Sequence, residues 1–185
     1  MKSLGIVVLA TVAAVIYGVL HDQVTARVCL EYFTVFHPPV FATTDPTLLG
    51  LGWGVIATWW VGLPLGIALA IAARAGSRRP KLAAADLVRP IAVTLLVVGA
   101  IAAVAGGWGW WQASRGSVKP PEWVADRIPT DRQVRFMAAW LAHSASYLAG
   151  AVAGLTLCVV TWQRRRAIHD QSATPPPSMN PHDPS

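Results

Sequence analysis

The sequence predicts an all-α fold, an integral membrane four-helix bundle. Three observations carry this. Hydrophobic residues make up 54% of the 185 positions and charged residues only 13%, well below the roughly 25% charged content of soluble domains. The apolar residues gather into four runs, each long enough for the ~20 helical residues that cross a bilayer. Basic residues flank those runs, as the orientation signals of membrane helices do. A chain of this size cannot hide so much apolar surface from water, whereas lipid can cover it.

The first run, Leu4 to Leu20, follows a short basic start at Lys2. It is longer than the roughly 7–15 apolar residues of a secretory signal peptide. It is therefore read as a span over residues 3–22, with cleavage near Ala26 as the alternative. Ala10, Ala14 and Gly18 recur every four residues, a stripe along which a second helix can approach closely. Neither Gly nor Pro interrupts His21 to Phe36, so this helix can extend beyond the membrane. His37-Pro38-Pro39 then ends it, because proline lacks an N–H and restricts the residue before it.

The second span covers residues 46–73. Asp45 can cap it and Pro46 suits the first helical position. Gly50, Gly54, Thr58, Gly62 and Gly66 recur every four residues and predict a long, tight contact with a neighbouring helix. Pro64 is expected to kink the span. Trp53, Trp59 and Trp60 are placed at the interface and the lipid-facing surface.

A basic loop from Arg74 to Arg89 leads to the third span, residues 90–112. Trp108, Trp110 and Trp111 close it as an aromatic belt. Residues 114–129 are polar and broken by prolines, hence a loop. Thr130-Asp131-Arg132-Gln133 has the form of a capping box and opens the fourth helix, whose span is 134–163. Arg164 to Arg166 are expected to stop it. Residues 1–163 then form one four-span membrane domain. Residues 164–185, with prolines at 175–177 and a polar end, form a disordered cytoplasmic tail.

Orientation follows from the basic residues. With both termini cytoplasmic, that side carries Lys2, Arg74, Arg78, Arg79, Lys81, Arg89, Arg164, Arg165 and Arg166. The other side carries Arg27, Arg115, Lys119, Arg127, Arg132 and Arg135. The larger set belongs inside. The net charge of +6 is thus explained by membrane orientation, and no nucleic-acid motif accompanies it. Cys29 and Cys158 fall near opposite faces, too far apart for a disulfide, whose Cα atoms lie within about 7 Å. The chain contains no phosphate-cradling glycine loop, no Ser/His/Asp order and no thiol motif, so no enzyme class is assigned. Expected partners are the lipid bilayer and, through the glycine-rich faces, a second copy or another membrane protein.

The functional lead is the polar stretch HDQVTARVCLEYFTVFHPP, His21 to Pro39. It holds two of the five histidines, two of the nine acids and one of the two cysteines. His143 is the one ionisable residue well inside a span. Ser146, Gly150 and Gly154 share its helix face, so it should point into the bundle. Ionisable groups are expensive in a membrane and are functional candidates for that reason. His21 and Asp22 lie toward the same face of the membrane and continue the first small-residue stripe. Glu31 and His37 join them if the chain after Asp22 folds back. The candidate metal ligands are therefore His21, Asp22, Glu31, His37 and His143. Imidazole and carboxylate suit Zn, Fe, Cu or Mn, and ligands from several helices build such sites in bundles. The spacing matches no metal motif. The competing readings are a neutral His143 hydrogen-bonded to a neighbouring helix, an interfacial polar pair at a helix end for His21 and Asp22, a solvated or Arg27-paired Glu31, a turn role for His37, interface anchoring by Tyr32, Phe33, Phe36 and Phe41, and packing for Cys158.

The block HDQVTARVC-EYFT---HP, His21 to Pro38, resembles one carried by an uncharacterised family of bacterial integral membrane proteins. It covers 18 of the 185 residues. The resemblance implies a multi-pass protein of a bacterial cytoplasmic (inner) membrane, and it supplies no catalytic role. Three functional readings follow from the residues. One is a metal-binding or redox membrane protein whose site faces the extracytoplasmic side. The second is a small oligomeric transporter or proton-relay component. The third is a non-catalytic structural or assembly protein.

Overall fold

The computed structural model describes residues 1–77 and 79–173. Five α-helices follow one another: α1 (Lys2–Val28), α2 (Pro46–Arg74), α3 (Ala85–Ser114), the single turn α4 (Glu122–Ala125) and α5 (Thr130–Ala173). A π-helical segment, Tyr32–Phe36, lies between α1 and α2. Among the described residues there is no strand. Helices α1, α2, α3 and α5 are each long and apolar enough to cross a membrane. The apolar side chains that face outward, among them Leu20, Leu96, Val104 and Leu148, form the surface that lipid covers in a membrane protein.

The two small-residue stripes face each other, which makes α1 and α2 the closest pair in the bundle. A Cβ at Gly62 would come within 2.8 Å of the Ala14 Cβ, and one at Gly66 within 3.0 Å of the Val7 carbonyl oxygen. The backbones can approach this closely only because those side chains are absent. Asp45 accepts hydrogen bonds from the Thr47 and Leu48 amides, both at 2.9 Å, and so starts α2 as its cap. Helix α3 packs along α5, α5 also meets α2, and α1 and α3 touch little.

Three expectations are corrected. Helix α1 does not run on to His37. It stops at Val28, and Cys29 adopts extended backbone (φ −151°, ψ 99°). The chain then turns back and sets Tyr32 and Phe33 into an aromatic core with Trp53 and Phe136. A straight continuation would have carried both rings away from the bundle, so burial of aromatic surface outweighs continued helix. Trp53 accordingly sits in that core rather than at the interface, while Trp59 and Trp60 are exposed.

The third correction concerns α5. It does not end at Arg164–Arg166 but continues to Ala173. Arginine is a good helix former, and Arg165 folds its side chain back into the protein. Its guanidinium donates to the carbonyls of Pro80 (2.7 Å), Ala72 (2.7 Å) and Ala75 (2.8 Å), beside a second apolar core of Ile6, Leu69, Leu87 and Ile91. Positions 164–173 of the expected tail are therefore helical. The remainder of that tail, 174–185, lies outside the described residues. With 44 residues, α5 is about 66 Å long, roughly twice the hydrocarbon core of a bilayer.

Candidate metal centre

Helix α1 brings His21 and Asp22 to the bundle interior just beyond Gly18, whose missing side chain lets α2 close in. Thr25 folds its hydroxyl onto the His21 carbonyl at 3.1 Å, so the next polar group of α1 is satisfied locally. Helix α5 presents His143 from the opposite wall. The His143 Nε2 stands 2.9 Å from Asp22 Oδ1, and its Nδ1 stands 3.2 Å from His21 Nε2. Asp22 and His143 are only 3% and 6% exposed. A donor atom from each of the three residues lies within 4.8 Å of the other two.

The imidazole of His143 thus uses both ring nitrogens. With Asp22 ionised, Nε2–H donates to the carboxylate and Nδ1 accepts from His21 Nε2–H. Asp22 has His143 as its single ion-pair partner among the described residues. A buried carboxylate is costly unless it is hydrogen-bonded, so this contact is one the fold must keep. On the inner side a cavity of about 90 Å³ separates the group from Thr58, Val61 and Gly150. The Tyr17 hydroxyl and the Ser146 hydroxyl meet at 2.8 Å on the same cavity wall, and the Tyr17 ring stacks on His21.

The π-helical segment roofs the group. The Tyr32 ring lies 4.5 Å from His143, and Phe33 lies 6.2 Å away edge-on. Burial raises the Tyr32 phenol above its ordinary range and pushes the Cys29 thiol up to about 12. Both therefore stay protonated and serve packing.

Glu31 and His37 do fold back with this segment, but their side chains are engaged elsewhere. Glu31 accepts from the Cys29 thiol at 3.4 Å and faces Arg132 at 4.0 Å. Arg27 is not its partner, since that guanidinium reaches Gln23 and Thr47 instead. The His37 Nδ1–H donates to the Tyr32 carbonyl at 2.8 Å, and its ring packs on Trp53 at 4.6 Å. Burial lowers its affinity for a proton, partly offset by that bond to Tyr32. Tyr32 and Phe33 form the lid of the polar group rather than interface anchors, and Phe36 stacks on Trp123 behind them.

Tyr17 escaped the sequence reading, and Ser146 entered it only as a small residue on the helix face of His143. Tyr17 is hidden in an apolar run, yet it precedes His21 by four residues, and Ser146 follows His143 by three. Helical neighbours of a candidate ligand were the signal that could have found them. Comparisons of this chain with protein-family models, with curated proteins and with solved structures find no match.

Proposed function

We propose that this multi-pass membrane protein holds one transition metal ion at His21, Asp22 and His143, on the extracytoplasmic side of a cytoplasmic membrane. The observation that carries the reading is the buried convergence of two imidazoles and a carboxylate from α1 and α5 within 4.8 Å. Two nitrogens bound tetrahedrally to one ion at ~2.0–2.1 Å are about 3.3 Å apart. The His21–His143 separation of 3.2 Å matches that edge, and an Asp22 oxygen within 4.8 Å of a nitrogen of each histidine is in reach as the third ligand. Imidazole suits Zn, Cu and Fe alike. The experiment is elemental analysis of detergent-purified protein. About one ion per chain is expected for the wild type, with loss in His21→Ala and His143→Leu. A wild type that stays empty after loading with Zn, Cu and Fe rejects the reading.

The orientation is part of this reading. It rests on the basic residues at the Lys2, 74–89 and 164–166 end. Reporter fusions after residues 40, 80, 120 and 170 should alternate out, in, out, in.

A second reading, a proton relay, is favoured by one observation. His143 bridges Asp22 and His21 through both ring nitrogens, a continuous donor–acceptor chain. In metal-free proteoliposomes, His143→Leu would then slow acidification of the lumen after a pH jump. Equal rates in wild type and variant count against the relay.

A further inference from the structure

Helix α5 carries one exposed line of side chains that changes character along its length. Leu148, Val152, Leu155, Val159, Trp162 and Arg166 follow one another at alternate steps of four and three residues, so they share one helix face. Five turns of 3.6 residues set Arg166 directly in line with Leu148. All six are exposed. Four apolar side chains come first, then an indole, then a guanidinium. From Leu148 to Trp162 the line covers about 21 Å of helix, more than one leaflet of a ~30 Å hydrocarbon core. A phospholipid presents its parts in the same order: acyl chain, interface, phosphate.

A second cation joins this line from the connection between α2 and α3. The Arg79 guanidinium lies over the Trp162 ring at 5.3 Å from its centroid, and that of Arg166 at 4.6 Å. The indole attracts both, while the two cations repel each other. Among the described residues neither pairs with a carboxylate. Asp86, the one acid between Arg74 and Arg89, accepts from the Ala83 amide at 2.8 Å instead. Membrane orientation explains why cations gather at this end, but not why two of them share one ring. Arg165 holds them in register. Its Nε–H donates to the carbonyl of Pro80, the residue after Arg79, and Arg166 is its own neighbour on α5. Two guanidiniums are thus positioned before any ligand arrives, which lowers the cost of binding one. A phosphodiester accepts hydrogen bonds from guanidinium groups and offsets the repulsion between them, at the headgroup level that tryptophan favours.

We infer that Arg79, Trp162 and Arg166 bind the phosphate of an anionic phospholipid whose acyl chain lies along Leu155 and Val159. Charge sets the selectivity. The headgroup of a phosphatidylglycerol is anionic, whereas the ammonium of a phosphatidylcholine cancels its phosphate and is repelled by the two arginines. The site lies at the other end of the bundle from His21, Asp22 and His143 and is independent of any metal.

The test is native mass spectrometry of the full chain, released from detergent micelles that carry equal amounts of dioleoyl phosphatidylglycerol and dioleoyl phosphatidylcholine. These lipids have the same acyl chains and differ in headgroup charge. The wild type should retain phosphatidylglycerol several-fold more often. Arg79→Gln and Arg166→Gln should each cut that preference about fivefold, the contribution of one basic residue at a headgroup. Arg164→Gln removes the same charge from an exposed position on the opposite side of α5, and should leave most of the preference. An excess of glycerophosphoglycerol, the same headgroup without chains, should fail to displace the lipid. Equal retention of the two lipids by the wild type overturns the inference. So does a loss at Arg79 and Arg166 no greater than that at Arg164, which would mean diffuse charge rather than a site. Displacement by glycerophosphoglycerol would mean a phosphate site without a lipid. The comparison of lipids in the wild type needs no variant. Each variant keeps Arg165 and should keep its Tm in lipid-free detergent, which separates loss of lipid from loss of fold.

Discussion

Each end of the bundle buries an ionisable group, and the two ends satisfy it by different means. At one end Asp22, His143 and His21 answer one another side chain to side chain. At the other end Arg165, fully buried, answers main chain among the described residues, through three carbonyls at the end of α2 and in the loop beyond it. A guanidinium does not give up its proton, and two of the carbonyls it holds, those of Ala72 and Ala75, lie at the C-terminus of α2, where a cation is favoured. That end is a clamp between α5 and the α2–α3 connection, with a single state. Imidazoles and a carboxylate exchange protons and accept metals, and around them the packing leaves cavities on both sides. The difference separates a structural device from a candidate site, although both would count equally as ionisable groups in a membrane helix.

The comparison breaks most sharply at Arg165. Arg165→Met should cost about 1–3 kcal/mol, because it takes the donor from three carbonyls, read as a drop in Tm in detergent. Arg165→Lys should recover only part of it, since an ammonium cannot span three carbonyls as a fork does. Arg164→Met should stay within about 0.5 kcal/mol, as an exposed substitution does. Equal effects at Arg164 and Arg165 would remove the clamp.

The polar group should respond to partner removal in a coupled way. Asp22→Leu takes the acceptor from His143 Nε2, and His143→Leu leaves the Asp22 carboxylate buried and unpaired, whereas the double variant leaves only His21 without its His143 partner. A double-mutant cycle should give a coupling of about 1–3 kcal/mol. Additivity within about 0.5 kcal/mol would mean that the contact contributes nothing to stability.

Glycines sharpen the contrast between closed and open packing. Gly62→Leu must push α1 away and should cost about 1–3 kcal/mol. Gly150→Ala meets no atom within 4 Å and should change stability by no more than about 0.5–1 kcal/mol, in the stabilising direction, because alanine is the better helix former. Comparable losses of Tm for the two would show that both positions pack alike.

The smallest effects belong to the lid. Cys29, with its thiol pushed up to about 12 by burial, should resist iodoacetamide at pH 8 in the folded protein and react once unfolded. His37 is held below the ordinary imidazole range by burial. Its folded state therefore favours the neutral ring. The stability this contributes is present above about pH 6.5 and is lost as pH falls through the lower folded value. The Tm should decline between pH 7 and pH 5, and His37→Gln should flatten part of that slope.

Much of this architecture was legible in the residues alone. Four apolar runs and two stripes of small residues spaced by four determined the spans and the tight face of α2, because helix period and lipid exposure are local properties. His21, Asp22 and His143 were legible as one group, since each continues an inward face of its helix. What only the tertiary structure decided depends on where distant surfaces meet. Nothing in His21 to Phe36 signals a stop at Val28, because the stop is caused by a core that Trp53 and Phe136 contribute from other helices. Arg165 reads like its two neighbours until the α2–α3 connection is placed beside it. The use of both His143 nitrogens, and the diversion of Glu31 to Arg132, likewise follow from which side chains the packing of α5 brings within about 3–4 Å. That selection is made by three-dimensional proximity, which the spacing along the chain does not encode.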